Sequence, residues 1–223
     1  MKRLVFVITA IVMCVIMQGC TRISNMNIRD QISEERINCY VGQVDATHAT
    51  LMCGMREKDY IINGYSGSLI QFGVITATIN TDVESDISYV LKTNDNNEYT
   101  GIMERNPYDG SYVADIGVII QEDSVNLTLK WGSITKNLTL DNISRSWQVD
   151  SSTALDIAIK ECSKELKKMC ANNSFNGEVY IKIRSDGEKN TYMWYIYFVG
   201  INGDKISVFV STNTGTVLYK KCC

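Results

Sequence analysis

Between Cys39 and Leu140 the chain reads as one short strand after another, and no other feature constrains its fold as much. Runs rich in β-branched and aromatic residues recur at 49–53, 60–62, 70–79, 87–91, 99–103, 112–120, 125–131 and 134–140. Turn chemistry separates them, as at Asn63-Gly64, Asn94-Asp95-Asn96-Asn97 and Asn106-Pro107-Tyr108-Asp109-Gly110. Val125, Leu127 and Leu129 alternate with Asn126, Thr128 and Lys130, the period of a half-buried strand. A single proline and many Thr, Ile, Val and Tyr residues agree with a β-rich chain.

Near Asn142 the period changes. Asp150-Ser151-Ser152 supplies side-chain oxygens that can cap a helix start. Ala154, Ala158, Cys162, Leu166 and Cys170 then fall on every fourth residue, predicting an amphipathic helix of about twenty residues. Strands are predicted at 178–184, 191–199, 205–211 and 216–220, with Asn202-Gly203 as a hairpin turn. The fold class expected is therefore α+β. An antiparallel β-sandwich of immunoglobulin-like architecture is expected over 38–143, and a helix laid on a small antiparallel sheet over 148–223.

The start of the chain concerns address rather than fold. Met1-Lys2-Arg3 precedes an uncharged run from Leu4 to Met17. That run is shorter than the ~20 residues a spanning helix needs and suits a signal-peptide h-region. Ile16-Met17-Gln18-Gly19-Cys20 resembles a bacterial lipobox. The resemblance implies cleavage after residue 19, a diacylglycerol on Cys20, and a protein held on the outer face of the cytoplasmic membrane. Acylation of that kind gives at least two chains, enough for stable anchoring. Polar residues 20–37 then read as a tether. Lys221-Cys222-Cys223 imitates a C-terminal prenylation signal, but that modification belongs to the cytosol and the export segment argues against it.

The last third of the chain resembles the PepSY family, through the alanine-bearing helix, Tyr192-Met193-Trp194-Tyr195-Ile196-Tyr197-Phe198, and the run from Val208 to Leu218 around Thr214-Gly215. The resemblance implies a noncatalytic extracytoplasmic module that binds, or restrains, other proteins such as peptidases. It implies no catalytic residues.

The net charge of −3 and pI near 5.3 exclude a general nucleic-acid binder, which needs a basic surface. With His48 the sole histidine and no C-x-x-C, neither a zinc site nor a serine triad is expected, and no metal or cofactor is assigned. Gly64-Tyr65-Ser66-Gly67-Ser68 lacks the second glycine of a nucleophile elbow and reads as a loop. Strand alternation turns Tyr195 and Tyr197 away from the helix, making them the candidate interaction surface. Cys162 and Cys170 would stand ~12 Å apart along one helix, beyond the ~7 Å a disulfide allows. One of them is expected to bridge to Cys222 or Cys223. The functional expectation is a lipid-anchored protein- or peptide-binding module of the cell envelope. An exported hydrolase using dispersed carboxylates and a plain surface spacer are the alternatives.

Overall fold

A computed structural model describes residues 27–59, 61–80, 85–172, 174–186 and 191–223. The lipobox-like segment and Cys20 lie outside these residues. The strands in chain order are β1 (Ile32–Val44), β2 (Thr47–Glu57), β3 (Leu69–Ile79), β4 (Ile87–Lys92), β5 (Glu98–Arg105), β6 (Tyr112–Asp115), β7 (Ser124–Trp131) and β8 (Ile134–Asn142). Two short helices follow, α1 (Ser151–Glu161) and α2 (Ser163–Lys168). A two-stranded ladder of β9 (Cys170–Ala171) and β10 (Ser174–Phe175) leads into β11 (Gly177–Ser185), β12 (Tyr192–Gly200), β13 (Lys205–Ser211) and β14 (Val217–Cys222).

β1 to β8 form a closed antiparallel barrel in the order β1-β2-β3-β6-β5-β4-β7-β8, with β8 returning to β1 at Tyr40↔Asn142 and Val41↔Asp141. Strands β4, β5 and β6 are hairpin neighbours flanked by β3 and β7, a Greek-key arrangement. Alternating side chains fill the interior: Leu51, Ile75, Ile87, Leu91, Val125, Leu127, Leu129 and Leu140 are all fully buried. Segment 116–120, expected to continue a strand, instead packs against the barrel as irregular chain. Ile120 is buried, and its carbonyl accepts from Asn38 Nδ2 at 2.6 Å and Tyr40 Oη at 2.9 Å.

β1 also belongs to a second structure. Its first residues pair in parallel with β11, at Ile32↔Val179, Glu34↔Tyr180 and Glu35↔Ile181, and its later ones close the barrel. The register against β2 slips between Arg36 and Asn38, and this bulge bends the strand from one sheet into the other. Gly54 faces the bulge, where a Cβ would stand 2.0 Å from the Glu35 carbonyl oxygen.

The sheet thus continues from the barrel as β1-β11-β12-β13-β14. α1 and α2 cover one side of this extension. Ala154, Leu155, Ala158, Cys162, Leu166 and Met169 pack on Trp194, Ile196, Phe198, Ile206, Val208 and Val210. Asp150 caps α1 by accepting from the Thr153 N–H at 2.7 Å.

These facts correct the expected fold class. The protein is mostly β, with a closed barrel where an immunoglobulin-like sandwich was expected. The helix-covered sheet is no separate PepSY-like α+β domain, because it is hydrogen-bonded to the barrel's own first strand. The correction rests on β1, which begins at Ile32 within the segment read as a tether. Residues 27–31 form a 3-10 turn whose Ile28 is buried in the helix-side core. The single helix expected after Asp150 is interrupted at Cys162 (φ −101°, ψ 19°).

Candidate functional site

The side of the C-terminal sheet away from the helices carries the densest chemistry. Register across β11, β12, β13 and β14 arranges it in rows. One row runs Lys182, Tyr195, Phe209, Tyr219; the next runs Tyr180, Tyr197, Ser207, Lys221. The rings touch both along β12 and across strands. Tyr195 and Tyr197 stack with centroids 5.8 Å apart, Tyr195 and Phe209 lie at 4.8 Å, and Phe209 meets Tyr219 at 6.0 Å. Tyr180 adds a contact to Tyr197 at 6.2 Å. Period-two alternation places these rings together, because Trp194, Ile196 and Phe198 point to the helices.

Exposure rises along the rows towards the outside. Tyr180, beside the barrel, is 1% exposed, Tyr197 is half-buried, and Tyr219 on β14 is 51% exposed. β14 is the free end of the strand order. Cys223 and Lys205 exchange both backbone hydrogen bonds, so alternate β14 residues (Cys222, Lys220) turn their N–H and C=O groups to the open edge.

The barrel-side border of this face is polar and closed. Glu34 is buried between Arg36 Nε at 2.8 Å and Lys182 Nζ at 2.9 Å. Burial alone would raise its carboxyl, but the two cations outweigh burial and hold it below the usual range. Glu178 is fully buried and anchors the β2–β3 loop. Its Oε1 accepts from the backbone N–H groups of Asn63 at 2.7 Å, Tyr65 at 3.0 Å and also Gly64, and its Oε2 accepts from Tyr180 Oη. Gly64 has φ +87°, and a Cβ there would lie 2.7 Å from Ile201 Cα, so this close seat needs glycine. Glu57 holds the other end of the loop, accepting from Ser33 Oγ at 2.8 Å and the Gly67 N–H.

Two open clefts were candidates for a catalytic centre. One of about 490 Å³ lies over this loop and includes Glu57 and Asp59, but the Glu57 carboxylate is already engaged. The other, of about 410 Å³ between Trp147 and Tyr192, has no charged residue among the described residues of its lining. Among the described residues no three His, Cys, Asp or Glu side chains gather to hold a metal. No described helix is long and apolar enough to cross a membrane.

All six described cysteines are free thiols. Cys222 pairs with Ile206 and so shares the helix side of the sheet with Cys162, whereas Cys223 lies on the aromatic side. Cys170 donates to the Leu166 carbonyl at 3.0 Å. Burial pushes the Cys39 and Cys162 thiols up to about 12 and that of Cys53 to about 11.

The sequence reading picked out Tyr195 and Tyr197, but it missed Phe209, Tyr219 and Tyr180, which complete the rows. Alternation within each strand could have marked Phe209 and Tyr219 as outward-facing; only the register joins them. Glu34, Glu57 and Glu178 carried no local signal, since their partners are distant in sequence. No protein-family model matches the chain, and no significant match exists among curated proteins or solved structures.

Proposed function

We propose that this chain is a noncatalytic binding module that seats a polypeptide on the outer aromatic face of its C-terminal sheet. The observation that carries the reading is a continuous set of ring contacts from Tyr180 to Tyr219, growing more exposed up to a free sheet edge. Tyrosine and phenylalanine are enriched at protein interfaces, and tyrosine supplies large area for little conformational entropy. An open edge adds backbone groups that an extended segment can pair with. The buried carboxylates Glu34, Glu57 and Glu178 hold the fold through ion pairs and backbone N–H groups, which argues for binding over hydrolysis.

The proposal includes the address. Cys20 carries the lipid, and the module stands on the outer face of a bacterial cytoplasmic membrane. Cys20→Ala should release the protein from the membrane fraction or leave it unprocessed. An unmodified mature N-terminus elsewhere would sink the lipid assignment.

The binding reading is tested by placing a photo-crosslinking phenylalanine at Tyr219 and, as a control, at Ile134, an exposed barrel position. Irradiated cells should give a discrete polypeptide adduct from position 219 alone, and Tyr195→Ser with Phe209→Ser should abolish it. No adduct, or the same adduct from both positions, overturns the proposal.

A further inference from the structure

The aromatic face is also selective in charge, and on that ground we infer that its partner is an acidic polypeptide segment. This rests on the binding reading above and narrows it. The residues facing outward on the four strands follow from register and alternation. They are Glu178, Tyr180, Lys182 and Arg184 on β11, and Met193, Tyr195, Tyr197 and Val199 on β12. β13 adds Lys205, Ser207, Phe209 and Ser211, and β14 adds Tyr219, Lys221 and Cys223. Every exposed charged side chain in this set is cationic: Arg184, Lys205 and Lys221. The one acid, Glu178, is fully buried and taken up by the β2–β3 loop.

This runs against the composition, which has 25 acidic and 22 basic residues. It also differs from the helix side of the same edge strand. There Lys220 is paired with Glu165 at 3.0 Å and lies 3.9 Å from Glu161. On the outer side Arg184, Lys205 and Lys221 make no ion pair among the described residues.

The positions match an apolar centre with a charged rim. Lys221 sits in the row of Tyr197, next to Tyr219 at the open edge. Lys205 stands one row further, and Arg184 lies at the far corner with its guanidinium 5.9 Å from the Tyr195 ring centre. A segment with apolar side chains on the rings and carboxylates outside them would satisfy both features. A basic segment would meet like charges at each corner, which discriminates partners more strongly than it adds affinity. The cations are too few, and the centre too aromatic, for the salt-driven grip of a nucleic-acid binder.

The test uses the full chain and three synthetic twelve-residue peptides in which valine alternates with glutamate, serine or lysine. Vesicles of phosphatidylglycerol form a fourth arm. The glutamate peptide should bind in 50 mM salt at least tenfold more tightly than the serine peptide, and the lysine peptide should not bind. Exposed ion pairs contribute ~0.2–1 kcal/mol each, so Arg184→Glu, Lys205→Glu and Lys221→Glu together should weaken the glutamate peptide by on the order of tenfold or more. Their exposure leaves the fold intact, as circular dichroism can verify. Equal affinity for all three peptides would overturn the acidic assignment while leaving the aromatic reading standing. So would no peptide binding alongside a persistent adduct at position 219. Preferential binding to the vesicles, lost in the triple variant, would overturn the polypeptide and make the face a lipid-headgroup surface.

Discussion

Replacing Glu178 with alanine removes one acceptor on which three backbone N–H groups and a phenol converge. A buried donor left without a partner costs ~1–3 kcal/mol. The Gly64 N–H is buried and would bear that cost, and the Tyr180 hydroxyl would lose a buried charge-assisted hydrogen bond, while the Asn63 and Tyr65 N–H groups are partly buried and can recruit water. The expected loss is about 3–4 kcal/mol. For a chain of this size each kcal/mol shifts the melting midpoint by ~2–4 °C, so the midpoint should fall by about 10 °C. Glu178→Gln keeps an acceptor at the same place and exchanges charged for neutral hydrogen bonds, so it should lose only about 1–2 kcal/mol. Urea and thermal unfolding give the global figure. Amide exchange at residues 63–65 tells whether the loop opens locally before the rest. An alanine variant within ~0.5 kcal/mol of the parent, with those amides still protected, would refute the anchoring role of Glu178.

Three further outcomes follow from the same contacts. The Glu34 carboxyl is held below its ordinary 4.5, so its contribution is complete above that pH and fades as pH falls through the lower folded value; Glu34→Gln should flatten this acid limb of a stability–pH curve. Gly54→Ala should destabilise by ~1–3 kcal/mol through the clash with Glu35, seen as a lower urea midpoint at unchanged slope. Cys222 and Cys223 should be alkylated at once in the native protein, whereas Cys39, Cys53 and Cys162 should react only on unfolding, because burial raises their thiols; mass spectrometry of the labelled peptides counts them.

Much of the strand text was legible because β4 and β7 each have one face on a core and one outside. The burial of β7 follows Val125, Leu127, Leu129 and Trp131 with strict alternation. Closure was not legible, because it depends on β1, whose residues break that period. Ser33 and Glu34 are buried in succession, as are Cys39 and Tyr40, and a bulge separates the pairs. Cys39 joins the helix-side core and Tyr40 the barrel core, so this strand is covered on both faces. Its polar residues read as tether because what satisfies them is remote: Glu57 for Ser33, Lys182 for Glu34, Ser151 for Glu35. The site was half legible for a related reason. Alternation says which way Tyr195 and Tyr197 face, but adjacency to Phe209 and Tyr219 is a fact of register.

The threefold partnership of β1 has a mechanical consequence. β2 bonds it along nearly its whole length, β11 near its start and β8 near its end. Tension directed along β1 from the N-terminus must therefore shear several ladders together, and bonds sheared together resist more force than bonds peeled one after another. β14 is the opposite case, its one backbone ladder among the described residues being to β13, and it is open to peeling from its free side. A molecule suspended by its first residues would bear load on its best-held strand. The edge proposed for docking, four strands away, would be the first part to yield to a departing partner.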